Sequence, residues 1–153
     1  MILKSFEINK VNQNINHLIL FYGKNEGLKN EAIDILNKDK NDILSYEEKE
    51  IFDNENNFIE NILTKSLFEK EKFIVIKRTT DKILKVIETL HLKNLEDITI
   101  ILNSDNLEKK SKLRSLFEKD KKLVCIPFYP DNDQTLSKLA YNFLRDKKIS
   151  ISQ

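Results

Sequence analysis

A short segment early in the chain has part of the spacing of a phosphate-binding loop. Loops of the pattern G-x-x-x-x-G-K-[ST] hold phosphate with backbone N–H groups and a lysine, and their Ser or Thr hydroxyl binds Mg²⁺. Gly23 and Lys29 stand at matching positions, whereas Leu28 replaces the second glycine and Asn30 replaces the Ser or Thr. The second glycine lets the backbone turn toward phosphate, and this chain lacks it. The pattern therefore favours an ordinary strand-to-helix turn with Lys29 on the helix surface.

The charged residues around this loop also disfavour a bound nucleotide. Glu26 would place a negative charge close to a phosphate group. In P-loop ATPases an apolar strand ends in an acidic residue that handles Mg²⁺ and water, but the apolar run 73–76 ends in Lys77-Arg78. Asn103, after the next apolar run, is either a polar nucleotide sensor or a turn residue. We therefore predict no bound ATP, metal or other cofactor. The expected remnant is a degenerate nucleotide loop with Gly23, Gly27 and Lys29.

No other catalytic site or metal centre is predicted. The one cysteine, Cys125, lies within an apolar run and is expected to be an inert core residue. Two histidines, His17 and His91, are too few for a histidine-only metal centre. The serines lack the G-x-S-x-G setting of a nucleophile elbow. No catalytic activity is therefore expected in this chain.

Composition narrows the class of protein further. The 153 residues are 40% hydrophobic and 33% charged, which supplies enough apolar material for the core of one domain. Proteins whose sole function is to bind nucleic acid are usually far more basic than this chain, whose net charge is +1. The longest apolar runs have about five residues, against the ~20 that a membrane span needs. With no signal peptide visible, these features predict a soluble, cytoplasmic protein without a membrane partner.

The candidate residues must be positioned by strands and helices. Along the chain, short apolar runs alternate with stretches that have the apolar periodicity of a helix. Apolar runs predict five strands, and apolar residues spaced three to four apart predict five helices. The predicted strands are 18–22, 43–46, 73–76, 98–102 and 123–126. Unbroken apolar runs are typical of parallel strands covered by helices on both faces. The pattern predicts a three-layer α/β domain over residues 1–148, whose most regular helical stripe is 136–144. Residues 149–153 are expected to begin a further, helical domain.

A bulky apolar pair, Leu67-Phe68, stands between polar residues at an expected helix-to-strand turn. Such turns are usually polar, so this pair is a candidate anchor for a pocket on a partner protein. Alternatively, Leu67 continues the helical stripe of Ile59 and Leu63 and packs beneath the domain. The residues alone leave both interpretations open.

Four groups of residues carry a family resemblance through their order and spacing. They are Leu20-Phe21-Tyr22-Gly23 with Asn25-Glu26, Ser66-Leu67-Phe68 before the run 72–76, Ser111-Lys112-Leu113-Arg114 with Phe117-Glu118-Lys119, and Phe128-Tyr129-Pro130. Together they resemble the N-terminal domain of the delta subunit of the bacterial DNA polymerase III clamp loader. The resemblance covers nearly the whole chain, although each segment alone is only modestly specific.

The resemblance implies a fold and a function. The fold is an AAA+ domain, similar to P-loop NTPases, with a five-stranded parallel sheet in the order 5-1-4-3-2 and no ATP binding. The implied role is to bind the sliding clamp, the beta subunit, and to favour its open ring for loading onto DNA during replication. In the family a Leu-Phe pair at this position enters a hydrophobic pocket on the clamp, which maps onto Leu67 and Phe68, with Ser66 and Lys65 in the same motif. Where some members carry a Gln four residues before the Leu, this chain has Leu63.

The resemblance also implies further partners, and two other functions stay open. The further partners are the other clamp-loader subunits and, indirectly through the polymerase complex, DNA. One alternative is a related ATPase subunit with weak nucleotide binding through Gly23 and Lys29. The other is a flavodoxin-like domain with a ligand at the Gly23 turn. The basic residues Lys109, Lys110, Lys112 and Arg114 form either a solvated helix face or a DNA contact.

Overall fold

In the computed structural model, which describes residues 1–38, 42–64 and 71–147, the apolar runs form one sheet. Its strands are β1 Leu18–Tyr22, β2 Ile43–Glu47, β3 Lys72–Lys77, β4 Ile98–Ser104 and β5 Val124–Pro127. They lie in the order β2-β3-β4-β1-β5, and every neighbouring pair is parallel. The predicted strand order, which is this order read from the other edge, is confirmed.

The position of each strand in the sheet explains its composition. β1 lies between β4 and β5, and all its residues are buried. Burial on both faces requires an unbroken apolar sequence. β2 is an edge strand, as predicted, and its Ile43 and Leu44 are exposed. At the opposite edge, Leu3 and Met1 exchange backbone hydrogen bonds with Cys125 of β5, so residues 1–3 partly cover that strand.

Cys125 is buried inside β5, as predicted for an inert core residue. Burial raises the pKa of its thiol to about 12. Since the thiolate is the reactive form of cysteine, this thiol is unreactive near neutral pH.

Helices connect the strands. They are α1 Glu26–Leu36, α2 Glu48–Asp53, α3 Glu55–Leu63, α4 Leu84–His91, α5 Lys112–Lys119 and α6 Asp133–Asp146, with 3-10 helices at Ser5–Lys10 and Asp81–Ile83. The sequence pattern does not predict α2, because a helix of six residues that buries one apolar side chain, Ile51, has too little periodicity to recognise. None of the helices among the described residues has the length and apolar character that a membrane span requires.

The helices cover both faces of the sheet. α1 and the first 3-10 helix cover one face, where Ala32 packs in one cluster with Phe21 and Val75. α3, α4 and α5 cover the other face, in a cluster that contains Leu20 and Ile74. Neighbouring residues of one strand therefore contribute to different cores, as the alternation of side chains along a strand requires. The predicted three-layer α/β arrangement is confirmed.

α6 departs from the predicted packing. The helix forms where the apolar stripe 136–144 predicts one, but Leu136 is 50% exposed and Phe143 is 61% exposed. One face of β5 is already covered, because Val124 packs in the same cluster as Leu3 and Ile8 of the amino-terminal segment. α5 packs on the other side of β5. α6 is therefore not a layer helix of the sheet. Residues 149–153, where a further domain is expected to begin, lie outside the described residues.

Candidate functional site

Gly23, which directly follows β1, is required by a close approach between two backbones. Its φ is +118°, and a Cβ built on it would lie 2.1 Å from the carbonyl oxygen of Phe128. The Phe128 N–H donates to the Tyr22 carbonyl at 2.7 Å, which holds the segment after β5 against the end of β1. The glycine that matches the phosphate-loop pattern is thus explained by packing, without a phosphate group.

Asn25 begins α1 and joins it to the segment after β5. Its side-chain oxygen accepts from the Leu28 N–H at 3.2 Å, as an N-cap residue does. Its side-chain nitrogen donates to Asp131 at 3.0 Å and to the Tyr129 carbonyl at 3.3 Å. Gly27, in the first turn of α1, has no comparable constraint, since a Cβ there would meet only the Asn25 side chain at 3.6 Å.

Lys29 is fully buried, with 0% of its side chain exposed, so the prediction that it lies on the helix surface is wrong. Its ammonium group donates to the Glu26 carboxylate at 2.8 Å, to the Asn103 side-chain oxygen at 2.9 Å and to the Ser104 carbonyl at 2.7 Å. An ammonium group has three N–H donors, and each has a partner inside the protein. A phosphate group could reach this lysine only by displacing one of them.

Glu26 completes the network at the surface. Its second carboxylate oxygen accepts from the Asn103 side-chain nitrogen at 3.2 Å, so Glu26, Lys29 and Asn103 form a closed ring of hydrogen bonds. Partial burial raises the pKa of Glu26, but the hydrogen bonds from Lys29 and Asn103 outweigh this effect and hold the pKa below its ordinary value. The carboxylate is therefore ionised near neutral pH. Asn103 lies within β4, so the interpretation as a turn residue is wrong, and its amide bonds to both Lys29 and Glu26 in this ring.

A crevice of about 640 Å³ opens beside this ring at the carboxyl ends of β3 and β4. Both signs of charge line it, with Glu26, Glu47 and Asp105 among the acidic residues and Lys77 and Arg78 among the basic ones. Arg78 has a φ of +55°, is 82% exposed and donates to the Glu47 carboxylate at 2.7 Å. The two cations thus lie at the end of β3, where a P-loop ATPase has an acidic residue, and they disfavour a metal ion there.

The basic residues predicted to share one helix face are not equivalent. Lys109, Lys110 and Lys112 are exposed. Arg114 is 16% exposed, donates to Glu118 at 2.7 Å and lies over the ring of Tyr22 at 4.8 Å from its centroid. Arg114 is therefore a packing residue. Lys109 and Lys110 precede α5, which begins at Lys112 after its N-cap Ser111, so the prediction that these residues share one helix face is wrong.

The predicted clamp-binding residues Lys65, Ser66, Leu67 and Phe68 lie outside the described residues. Their flanks are described: α3 ends at Leu63, and β3 begins at Lys72. Ile59 and Leu63 pack against the core at partial burial, as the helical stripe predicts.

Lys72 makes an unexpected set of contacts at these flanks. Its ammonium group donates to the carbonyl oxygens of Asn61 at 2.8 Å, Ile62 at 3.3 Å and Thr64 at 2.5 Å. Its backbone N–H donates to the Asp97 carbonyl at 2.8 Å. Nothing in the sequence pattern indicates these contacts, because they depend on where the end of α3 meets the start of β3.

The pairing of Glu26 with Lys29 has a local signal in the sequence. Oppositely charged residues three positions apart share one face of a helix and can pair. That spacing indicates a salt bridge, although it does not indicate its burial.

The chain was compared with protein-family profiles and with curated proteins, and neither comparison found a match.

Proposed function

We propose that this chain is the AAA+-like first domain of a clamp-loader delta subunit of DNA polymerase III. In this role it binds the sliding clamp and favours the open ring, and it neither binds nor hydrolyses ATP. The proposal begins from the sequence resemblance, which runs through four segments in order. It is supported by the five-stranded parallel sheet, whose order β2-β3-β4-β1-β5 agrees with the order that the resemblance implies.

The closed ring of Glu26, Lys29 and Asn103 is the observation that carries the proposal. A sheet of this order has its phosphate-binding position at the turn after β1 and the start of α1. Here the lysine of that position is buried and satisfied by the protein's own carboxylate, amide and carbonyl groups. A nucleotide-type fold with this position closed suits a binding module better than an ATPase.

The clamp contact is assigned to Leu67 and Phe68, with Ser66 and Lys65 in the same motif. Fully burying a Leu or Phe side chain contributes ~1.5–3 kcal/mol each before ordering costs are subtracted. A domain that fits the open or strained clamp interface better than the closed one shifts the ring equilibrium by the difference between its two affinities. Binding energy of this kind opens a ring without any chemistry in this chain.

The rest of the proposal concerns the assembly. The other clamp-loader subunits are the expected partners of the whole protein. The protein contacts DNA indirectly, through the polymerase complex, in the cytoplasm. The related-ATPase alternative needs Lys29 to face phosphate, and its burial among three partners argues against that role. The flavodoxin-like alternative needs an open turn at Gly23, where the Phe128 carbonyl instead lies against the backbone.

Direct binding measurements test the proposal. The 153-residue chain is titrated into the cognate sliding clamp in a calorimeter, and separately with ATP and Mg²⁺. We expect a saturable isotherm with the clamp and none with ATP. A micromolar, magnesium-dependent ATP isotherm would favour the ATPase alternative, and absence of clamp binding at high micromolar concentration would refute the proposal.

A further inference from the structure

We propose that the chain has a second contact with the sliding clamp, on an exposed apolar and basic surface formed by Ile15, His17, Leu92, Lys93 and Lys122. We call it the Leu92 surface. Its complement on the clamp is an apolar group flanked by carboxylates. This inference rests on the proposed function, because it assigns further residues to the same partner.

Leu92, the C-cap residue of α4, is the most exposed large apolar residue in the described part of the chain, with 86% of its surface exposed. Its two neighbours in sequence, His91 and Lys93, line a pocket of about 140 Å³. Ile15, which is also exposed, lines the same pocket. Apolar residues that are exposed singly need no explanation, but two of them beside one pocket are typical of a protein–protein contact.

The rim of this pocket is basic. Its lining includes His17, His91, Lys93 and Lys122, and none of the described lining residues is acidic. His91 is hydrogen-bonded to the Asp120 carboxylate at 2.9 Å. The ammonium groups of Lys93 and Lys122, in contrast, make no hydrogen bond or ion pair within the part of the chain that the structure describes. Such lysines around an apolar contact are complementary to carboxylates on a partner.

Fixed elements of the fold hold this surface in place. The His17 ring is hydrogen-bonded to the Ile98 carbonyl at 3.1 Å, at the start of β4. The Asn16 side chain donates to the Lys122 carbonyl at 3.0 Å, just before β5. A surface whose backbone is held before binding loses less conformational freedom when a partner docks.

The Leu92 surface lies at the edge of the sheet where the parallel strands begin. His17 directly precedes β1, and Lys122 lies two positions before β5. The flanks of the proposed clamp motif lie at the same edge, because Lys72 begins β3 and its ammonium group donates to the Thr64 carbonyl at the end of α3. Only β4 separates β3 from β1, so the starts of these two strands are roughly 10 Å apart. A standard interface of about 800 Å² per partner is roughly 30 Å across and can cover both places.

The chemistry of the surface favours the clamp over a second copy of this chain or DNA. A symmetric contact between two copies would bring Lys93 and Lys122 close to the same lysines of the other copy, where like charges repel. A DNA backbone would pair with the lysines but would leave Leu92 and Ile15 without an apolar partner. A protein surface with both apolar and acidic groups satisfies all of these residues.

The test measures clamp affinity by calorimetry for Leu92→Ala, Lys93→Glu and Lys109→Glu. Lys109→Glu is the matched control, since it makes the same change of charge at an exposed residue that follows β4, at the opposite edge of the sheet. We expect Leu92→Ala to weaken clamp binding about five- to tenfold. Lys93→Glu should weaken it about tenfold in about 50 mM salt and about two- to threefold in about 500 mM salt, because salt screens exposed charges. Lys109→Glu should leave the affinity unchanged.

Urea unfolding separates lost binding from lost folding. Leu92 and Lys93 are exposed, so the variants should unfold at nearly the same urea concentration as wild type. If a variant at Leu92 or Lys93 does not fold, Lys122→Glu replaces it, with the expectation given for Lys93→Glu. Unchanged clamp affinity in Lys122→Glu then overturns the second contact.

Other outcomes separate this inference from the proposed function. Unchanged affinity in folded Leu92→Ala or Lys93→Glu overturns the second contact and leaves clamp binding in place. Equal losses in Lys93→Glu and Lys109→Glu also overturn it, because net charge alone then accounts for the effect. Self-association of the wild-type chain in sedimentation that Leu92→Ala abolishes assigns the surface to a second copy and overturns the inference. Wild-type chain that does not bind the clamp overturns the proposed function and this inference with it.

Discussion

The ammonium nitrogen of Lys29 lies 2.8 Å from a carboxylate oxygen of Glu26, one turn earlier in α1. The lysine is fully buried and the glutamate is 60% exposed, so the pair spans the boundary between core and solvent. A buried ammonium group needs partners for all its donors, because an unpaired buried charge is costly. Glu26 thus supplies a negative charge beside the lysine that the phosphate-loop pattern would assign to phosphate.

Removing the Glu26 carboxylate should destabilise the domain. We expect Glu26→Ala to lower the free energy of unfolding by about 1–2 kcal/mol, the range for a charged hydrogen bond reduced for solvent screening at an exposed group. Glu26→Gln should cost less, because its side-chain oxygen can still accept from Lys29. Urea unfolding of both variants measures the difference. Equal stability of wild type and Glu26→Ala would contradict the structural role of the ring.

The contribution of Glu26 should also depend on pH. Its pKa is lowered in the folded protein, so the folded state binds its proton less readily than the unfolded state does. The stabilisation is therefore full above the unfolded pKa of about 4.3 and is lost as pH falls through the folded value. The difference in unfolding free energy between wild type and Glu26→Gln should be constant from pH 6 to pH 8 and shrink below about pH 4. A difference that grows on acidification would have the wrong sign for this pair.

Restoring the phosphate-loop residues should not produce an ATPase. The double variant Leu28→Gly, Asn30→Thr regains the pattern, but Lys29 remains bonded to Glu26, and Lys77 still stands at the end of β3. We expect no ATP hydrolysis above background in a phosphate-release assay with Mg²⁺. ATP turnover by this variant would show that Leu28 and Asn30 alone prevent hydrolysis in the wild-type chain.

The two glycines of the loop provide a matched pair. Gly23→Ala places a Cβ 2.1 Å from the Phe128 carbonyl oxygen at a φ of +118°, so the backbones must move apart. We expect a loss of more than ~3 kcal/mol or failure to fold, combining overpacking with an unfavourable φ. Gly27→Ala should instead be neutral or stabilising by up to about 1 kcal/mol, because alanine is the better helix former. Comparable losses in the two variants would contradict the distinction between them.

The sequence predicts the sheet well and the site only in part. Runs such as 73–76 and 98–102 report burial directly, so β3 and β4 form where expected. The strand order came from the family resemblance and not from periodicity. A regular apolar stripe also predicts α6, but periodicity does not reveal which element occupies the neighbouring face of the sheet.

The site was harder to predict because its contacts join distant parts of the chain. Lys29 donates a hydrogen bond to Asn103, which lies 74 positions further along the sequence. A motif comparison considers only the residues close to Lys29 in the sequence. The mismatches at Leu28 and Asn30 correctly disfavour a nucleotide loop, but they do not show that the lysine turns inward. For the same reason, the contact of Lys72 with the end of α3 becomes visible only when the helix and the strand are placed together.

Truncating Leu67 and Phe68 together tests the clamp anchor and separates it from a core role. If the pair is an exposed anchor, the double alanine variant should lose clamp binding and unfold at nearly the same urea concentration as wild type, because an exposed side chain loses little on truncation. If the pair is core, the variant should instead lose ~2–5 kcal/mol of stability for each buried side chain removed. In a third arrangement, Leu67 continues the stripe of Ile59 and Leu63 while Phe68 alone reaches the clamp. Single variants identify this arrangement, because Phe68→Ala would then lose clamp binding and Leu67→Ala would lose stability. If the double variant still binds the clamp, Leu67 and Phe68 are not part of the interface, even if the fold and the family assignment are correct.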